Sequence, residues 1–175
     1  MKQNSYKLQQ TVIPSHYKLH LKPDLVMGNF TGEVEIDISI LKDTSFIELN
    51  SLELEIMESS IRSNSGINID PEEVILNETD ERLVLKFKNN LNVGSYKLKI
   101  HFKGELNDLL HGFYKSKFKD DFGAEHIIAT TQFESTDARR AFPCWDEPSF
   151  KATFPSFGIL TINSSFPQTS IRARI

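Results

Sequence analysis

The sequence predicts an all-β protein, an antiparallel sandwich or saddle of curved sheets, and three observations carry that expectation. First, Gly32 to Ile40 alternates without a fault: Val34, Ile36, Ile38 and Ile40 take one face, against Glu33, Glu35, Asp37 and Ser39. Second, Gly, Pro, Asn and Asp clusters interrupt such runs about every eight to twelve residues, the rhythm of short strands. Third, no helical apolar period of useful length competes; Glu105 to His111 is too short to carry an architecture.

Each element follows from the same two-residue period. Between Ser15 and Leu21, Tyr17, Leu19 and Leu21 face one way and His16, Lys18 and His20 the other, which marks a half-buried strand. On a strand His16 and His20 stand ~13 Å apart, so they do not form the metal pair that a helix would make of them. The acidic face of Gly32 to Ile40 reads as a solvated strand face rather than a cation site. Phe46 to Asn50 and Leu52 to Ile56 repeat the device, with Ile47, Leu49, Leu52, Leu54 and Ile56 inward, and Ser59 to Pro71 reads as a loop. Val74 to Glu78 and Arg82 to Lys88 flank Thr79-Asp-Glu as a hairpin, and Tyr96, Leu98, Ile100 and Phe102 form the inner face of a further strand. His111 to Phe118, the charged turn Lys119 to Gly123 and a strand ending at Glu134 make a second hairpin.

The segment Thr130 to Phe154 holds the only Trp and the only Cys, and it is too polar to be simple core. If His126 to Glu134 is extended, Ile128, Thr130, Gln132 and Glu134 share one side, and Gln132 and Glu134 stand roughly 7 Å apart. A carboxylate beside an amide suits capture of a protonated amine together with one further hydrogen bond, as at the first residue of a peptide. Beyond it, Ser135 or Thr136 caps a brief helical turn through Ala141, which Pro143 ends. Arg139 and Arg140 are expected to pair with Asp137, Asp146 or Glu147 rather than to clamp a substrate carboxylate. Trp145 is expected to anchor packing, with an indole N–H that needs a partner.

The run Thr-Gln-Phe-Glu-Ser-Thr-Asp-Ala-Arg-Arg-Ala-Phe-Pro-Cys-Trp-Asp-Glu-Pro closely resembles the N-terminal domain signature of zinc-dependent aminopeptidases of the puromycin-sensitive and aminopeptidase N group. Ile13-Pro-Ser-His-Tyr-Lys-Leu, Phe30-Thr-Gly-Glu-Val and Gly112-Phe-Tyr-Lys-Ser fit the same family in the expected order, so the resemblance covers Val12 to Phe154. It implies that Glu134 binds the substrate's free amino terminus and that Gln132 helps to line the first side-chain pocket. It also implies zinc in the full-length family, held by a His-Glu-x-x-His helix with its downstream Glu; neither that helix nor the family's Gly-Ala-Met-Glu-Asn segment occurs here. Residues 1–154 then form the recognition β-domain of a metallo-aminopeptidase, expected to be inactive alone, with a catalytic domain or full-length relative as possible partner. Residues 155–175 form a divergent tail, read as a truncated or alternatively spliced product or an imperfect gene model. The alternative is a non-catalytic interaction or regulatory module derived from that family.

Composition narrows the remaining classes. At 175 residues one domain buries about 70% of its unfolded surface without staples, and the lone Cys144 has no internal partner, which fits a reducing compartment. A net charge of −4 supplies no basic footprint for nucleic acid. No run approaches the ~18 apolar residues of a membrane span, and the start lacks an apolar central region, so a cytoplasmic location without membrane partners is the expectation. The glycosylation patterns at Asn29, Asn77 and Asn163 are then chance occurrences.

Overall fold

The computed structural model describes residues 7–155 and the strand Ile159–Leu160. Its strands are β1 (Val12–Asp24), β2 (Asn29–Ile40), β3 (Thr44–Asn50), β4 (Leu54–Ser63), β5 (Asn68–Ile69), β6 (Glu73–Asn77), β7 (Arg82–Leu91), β8 (Gly94–Glu105), β9 (Gly112–Lys119), β10 (Glu125–Gln132) and β11 (Ile159–Leu160). A single 3-10 turn at Ala138–Arg140 is the one helical element among the described residues.

Three sheets result. The largest runs in the order β11-β1-β2-β8-β4-β5, a smaller one in the order β3-β7-β6, and β9 and β10 form a hairpin of their own. Every pair is antiparallel except β1 with β11, whose register sets His20 beside Ile159. Of the tail, residues 156–158 and 161–175 lie outside the described residues. Pro14 falls at a bulge in β1, where a residue without an N–H does no damage to the ladder.

The alternation of the sequence becomes the core. Val34, Ile36, Ile38 and Ile40 of β2, Leu98, Ile100 and Phe102 of β8, and Ile47, Leu49, Leu83 and Leu85 of the smaller sheet are all at most 1% exposed and belong to one cluster. Each such side chain contributes about 1.5 to 3 kcal/mol by leaving water. Two glycines let aromatic rings into the strands. Phe30 and Phe102 meet edge to face at 6.4 Å, and a Cβ on Gly32 would lie 2.3 Å from the Phe102 ring, one on Gly104 2.4 Å from the Phe30 ring.

The outer face of β2 is a charge ladder. Lys97 bonds Asp37 at 2.6 Å and Glu35 at 3.3 Å, while Lys99 and His101 reach Glu33 at 3.1 and 2.9 Å. At this exposure such pairs add little stability. They hold neighbouring strands in register by matching sign across the sheet.

One expectation fails in β4. Ser59 to Pro71 is not a loop throughout, because β4 runs on to Ser63 and Ile61 is fully buried opposite Leu98. The cause is a register shift between Ile56 and Glu58, which flips the inward parity from Leu54 to Ile61 and hides the strand from a period-two reading. Leu52 is half-buried and precedes the strand rather than forming part of it.

Candidate functional site

The hairpin of β9 and β10 delivers the candidate pair. The strand ends at Gln132, two residues earlier than the sequence suggested, and Glu134 lies in the turn that follows. The pair is therefore not two positions of one strand, and strand alternation does not set its spacing. The Glu134–Ser135 peptide bond is cis. The Asp137 N–H donates to the Phe133 carbonyl at 3.0 Å and closes the turn. Gln132 and Glu134 are both exposed, and both line one open groove of about 440 Å3.

Aromatic residues floor that groove. Tyr17 stacks on Phe154 at 4.9 Å, Phe142 meets Tyr17, Phe133 and Phe154 edge to face at 6.0 to 6.2 Å, and Trp145 tilts against Phe150 at 6.5 Å. Burial holds the Tyr17 hydroxyl well above its ordinary pKa, and it accepts the backbone N–H of Trp145 at 3.0 Å. Trp145 is the packing anchor foreseen, but its buried indole N–H has no partner among the described atoms.

Behind the turn sit the two arginines. Asp137 precedes the 3-10 turn without capping it through its side chain, and neither Ser135 nor Thr136 serves as the cap that the sequence suggested. Arg139 donates to Asp146 at 2.9 Å and to Glu81 at 2.7 Å; Arg140 donates to Asp137 at 2.9 Å and pairs with Glu53. Burial works against charge on Arg139, but hydrogen bonds and charge from Asp146 and Glu81 more than offset it and raise its pKa. Both guanidinium groups are thus committed to the fold, as their acidic neighbours suggested. The sequence missed Glu53 and Glu81, distant in the chain and both on a left-handed backbone, with φ of 59° and 54°. Glu147 instead accepts the Leu8 N–H and lies 3.9 Å from Arg82.

The whole segment is sewn to a stretch far away in the sequence. Asn50 and Cys144 exchange backbone hydrogen bonds at 2.8 and 3.0 Å, Leu52 N–H donates to the Arg139 carbonyl at 3.0 Å, and the Asn50 side chain accepts the Asp146 N–H at 3.1 Å. Cys144 is 4% exposed, and burial, with Asp146 beside it, pushes its thiol pKa well above the ordinary range, so it is an inert core residue.

Glu134 is left by contrast: among the described residues it has no ion pair and no hydrogen-bond donor of its own. An exposed, uncommitted carboxylate beside an amide, over an aromatic floor, can take a cation with an apolar substituent. A second concavity of about 490 Å3, over Ser45, Phe46, Glu72, Glu73, Lys86 and Phe87, shares no residue with this groove; its Lys86 is bonded to Glu73 at 2.8 Å.

A family model described as the Peptidase M1 N-terminal domain matches residues 13–164. The chain belongs to the peptidase M1 N-terminal domain family. Among curated M1 relatives, it is 44% identical over 151 residues to Aminopeptidase M1 of Arabidopsis thaliana, covering 85% of this chain and 17% of that protein. It is 39% identical over 154 residues to Endoplasmic reticulum aminopeptidase 1 of Homo sapiens (86% and 16%), and 38% identical over 141 residues to Puromycin-sensitive aminopeptidase of Caenorhabditis elegans (81% and 15%). The chain spans about one sixth of the length of these M1 aminopeptidases.

The zinc that the resemblance implies finds no donor set here. Among the described residues no three His, Cys, Asp or Glu side chains gather as a metal site. His16, His101 and His126 are engaged separately, with Thr153, Glu33 and Asp120. The described part of this M1 domain does not fit the metal. No helix among the described residues is long and apolar enough to cross a membrane.

Proposed function

We propose that this chain is the substrate-recognition domain of an M1 aminopeptidase, in which Glu134 holds the protonated amino terminus of a peptide and Gln132 contacts the first residue beside it. The observation that carries the reading is the uncommitted, exposed carboxylate of Glu134 in the same groove as Gln132. A catalyst that removes one residue at a time needs a fixed point from which to count, and a carboxylate gripping the leading ammonium supplies one. The rest of the reaction, and the zinc that serves it in the family, belongs to protein beyond these residues.

Magnitudes set what the domain does by itself. An ammonium and a carboxylate 4 Å apart attract by ~1 kcal/mol in water and by ~4 kcal/mol at an effective dielectric constant of 20. Association costs about 4 to 15 kcal/mol. The domain alone therefore binds peptides no more tightly than the millimolar range and releases no amino acid. A cytoplasmic location belongs to the same reading, supported by the single, buried Cys144.

Amide chemical shifts of Gln132 to Ser135 test the reading. A short peptide with a free amino terminus should shift them with millimolar saturation, its N-acetylated form should not, and Glu134→Gln should abolish the response. Equal shifts from both peptides, or none, would refute amine capture. Release of an amino acid from an aminoacyl reporter by the purified chain with zinc would refute the inactivity.

A further inference from the structure

The hairpin that carries Gln132 has an unguarded edge. β10 bonds to β9 on one side, and among the described residues no strand lies on the other. Two strands alone are marginal in water, so such a ribbon gains from a third. Natural edges are protected by Lys, Pro or bulges. β9 carries Lys115, Lys117 and Lys119, whereas β10 reads Glu-His-Ile-Ile-Ala-Thr-Thr-Gln, with neither Lys nor Pro and its one acid at the first position. Its residues also expose apolar surface on both faces, Ile127 at 41% and Ile128 at 39%.

The register tells which backbone groups are free. Lys115 lies opposite Ala129, but its N–H donates to the Asn107 carbonyl at 2.9 Å, away from β10. At the turn Asp120 N–H donates to the Ala124 carbonyl at 3.0 Å, so the even-numbered residues of β10 are those bonded to β9. Glu125, Ile127, Ala129 and Thr131 therefore aim their N–H and C=O groups at the empty edge.

We propose that two copies of this chain pair through that edge, β10 against β10, antiparallel about a two-fold axis at Ile128. This register suits the sequence. Ile127 bonds Ala129 of the partner subunit and Glu125 bonds Thr131 of the partner subunit, each twice by symmetry. Ile128 meets Ile128 of the partner subunit as a close non-bonded pair on one face, and Ile127 covers Ala129 of the partner subunit on the other. No charge opposes a like charge. The result is a four-stranded sheet that uses each free edge once, so assembly closes at the dimer. It brings the partner's turn to the Gln132 end of the strand, so the second copy borders the candidate site. An interface of one strand pair falls below the ~1,200 Å2 of a stable complex, so dimerisation is weak and grows over roughly 10 µM to 1 mM.

Sedimentation of the whole chain over that range should show a monomer passing to a dimer. Ile128→Lys should move the midpoint at least tenfold higher, and Phe122→Ser, at the exposed tip outside the ladder, should leave it in place. Ile128→Cys should cross-link through a disulfide under oxidised glutathione, since residues opposed across the axis have Cα atoms about 4.5 Å apart, while Lys117→Cys, two strands away from its symmetry mate, should not. Circular dichroism checks that each variant is folded. A monomer throughout the range, an open-ended polymer, or equal cross-linking of both cysteine variants would overturn the proposal.

Discussion

The guanidinium of Arg139 and the carboxylate of Asp146 meet at 2.9 Å directly behind the turn that carries Glu134. Their side chains are only 10% and 15% exposed, so the pair is a structural support for the candidate site, with Asp146 at the groove wall and Arg139 behind it.

Asp146→Ala should cost about 3 kcal/mol, because removing one partner of a buried pair leaves a charge that Glu81, itself 37% exposed, offsets only in part. Urea unfolding measures it. A loss below about 1 kcal/mol, the worth of a surface pair, would show that Arg139 is solvated in practice.

Gly112→Ala strains the entry to β9. Its φ is +67°, a region that costs an L-residue roughly 1 to 2 kcal/mol, and a Cβ there would lie 2.8 Å from the Arg140 Cβ. Gly123→Ala meets the same backbone cost at φ +83° but open space. The expected order of unfolding midpoints is wild type, then Gly123→Ala, then Gly112→Ala.

Gly104→Ala overfills the core where the Phe30 ring lies over the strand, and a loss of about 1 to 3 kcal/mol is expected. The edge-to-face contact of Phe30 with Phe102 should open at the same time, which ring-proton chemical shifts would register.

The β9 and β10 turn should loosen in acid. A hydrogen bond from His126, with those from the Ala124 and Phe122 N–H groups, holds the Asp120 carboxyl below its ordinary pKa. A depressed folded pKa stabilises the turn fully above the unfolded value of about 3.9, and the contribution is lost as pH falls through the lower folded value. Amide exchange at Phe122 and Ala124, corrected for its intrinsic pH dependence, should stay protected from pH 7 to about 5 and lose protection below about 4. Loss of protection already between pH 7 and about 5 would overturn the assignment to Asp120.

Much of this architecture was legible because one physical rule wrote it. In β2 and β8 each inward position is aliphatic or aromatic, apart from Gly32, Gly94 and Gly104, and each outward one polar or charged, so parity alone identified the core. The same rule failed at Met57, where a bulge changes parity without any residue type to announce it. Gln132 and Glu134 stand out in the sequence by their chemistry, but the strand stops at Gln132 and a turn begins, so alternation does not relate them. Asp137 and Asp146 were legible as partners of the arginines because they are neighbours in sequence. Glu53 and Glu81 were not, since only the folded chain brings them near.

The reciprocal backbone bonds between Asn50 and Cys144 have a practical corollary. Tyr17 comes from the first strand, Asn50 from the end of the third and Phe154 from beyond the last hairpin, so the groove with its clamp is a knot of three distant stretches and not a linear epitope. A synthetic peptide copying residues 130–154 would carry every side chain of the motif and still fail to present Gln132 and Glu134 to an amine, because the clamp that shapes their turn is borrowed from elsewhere in the chain.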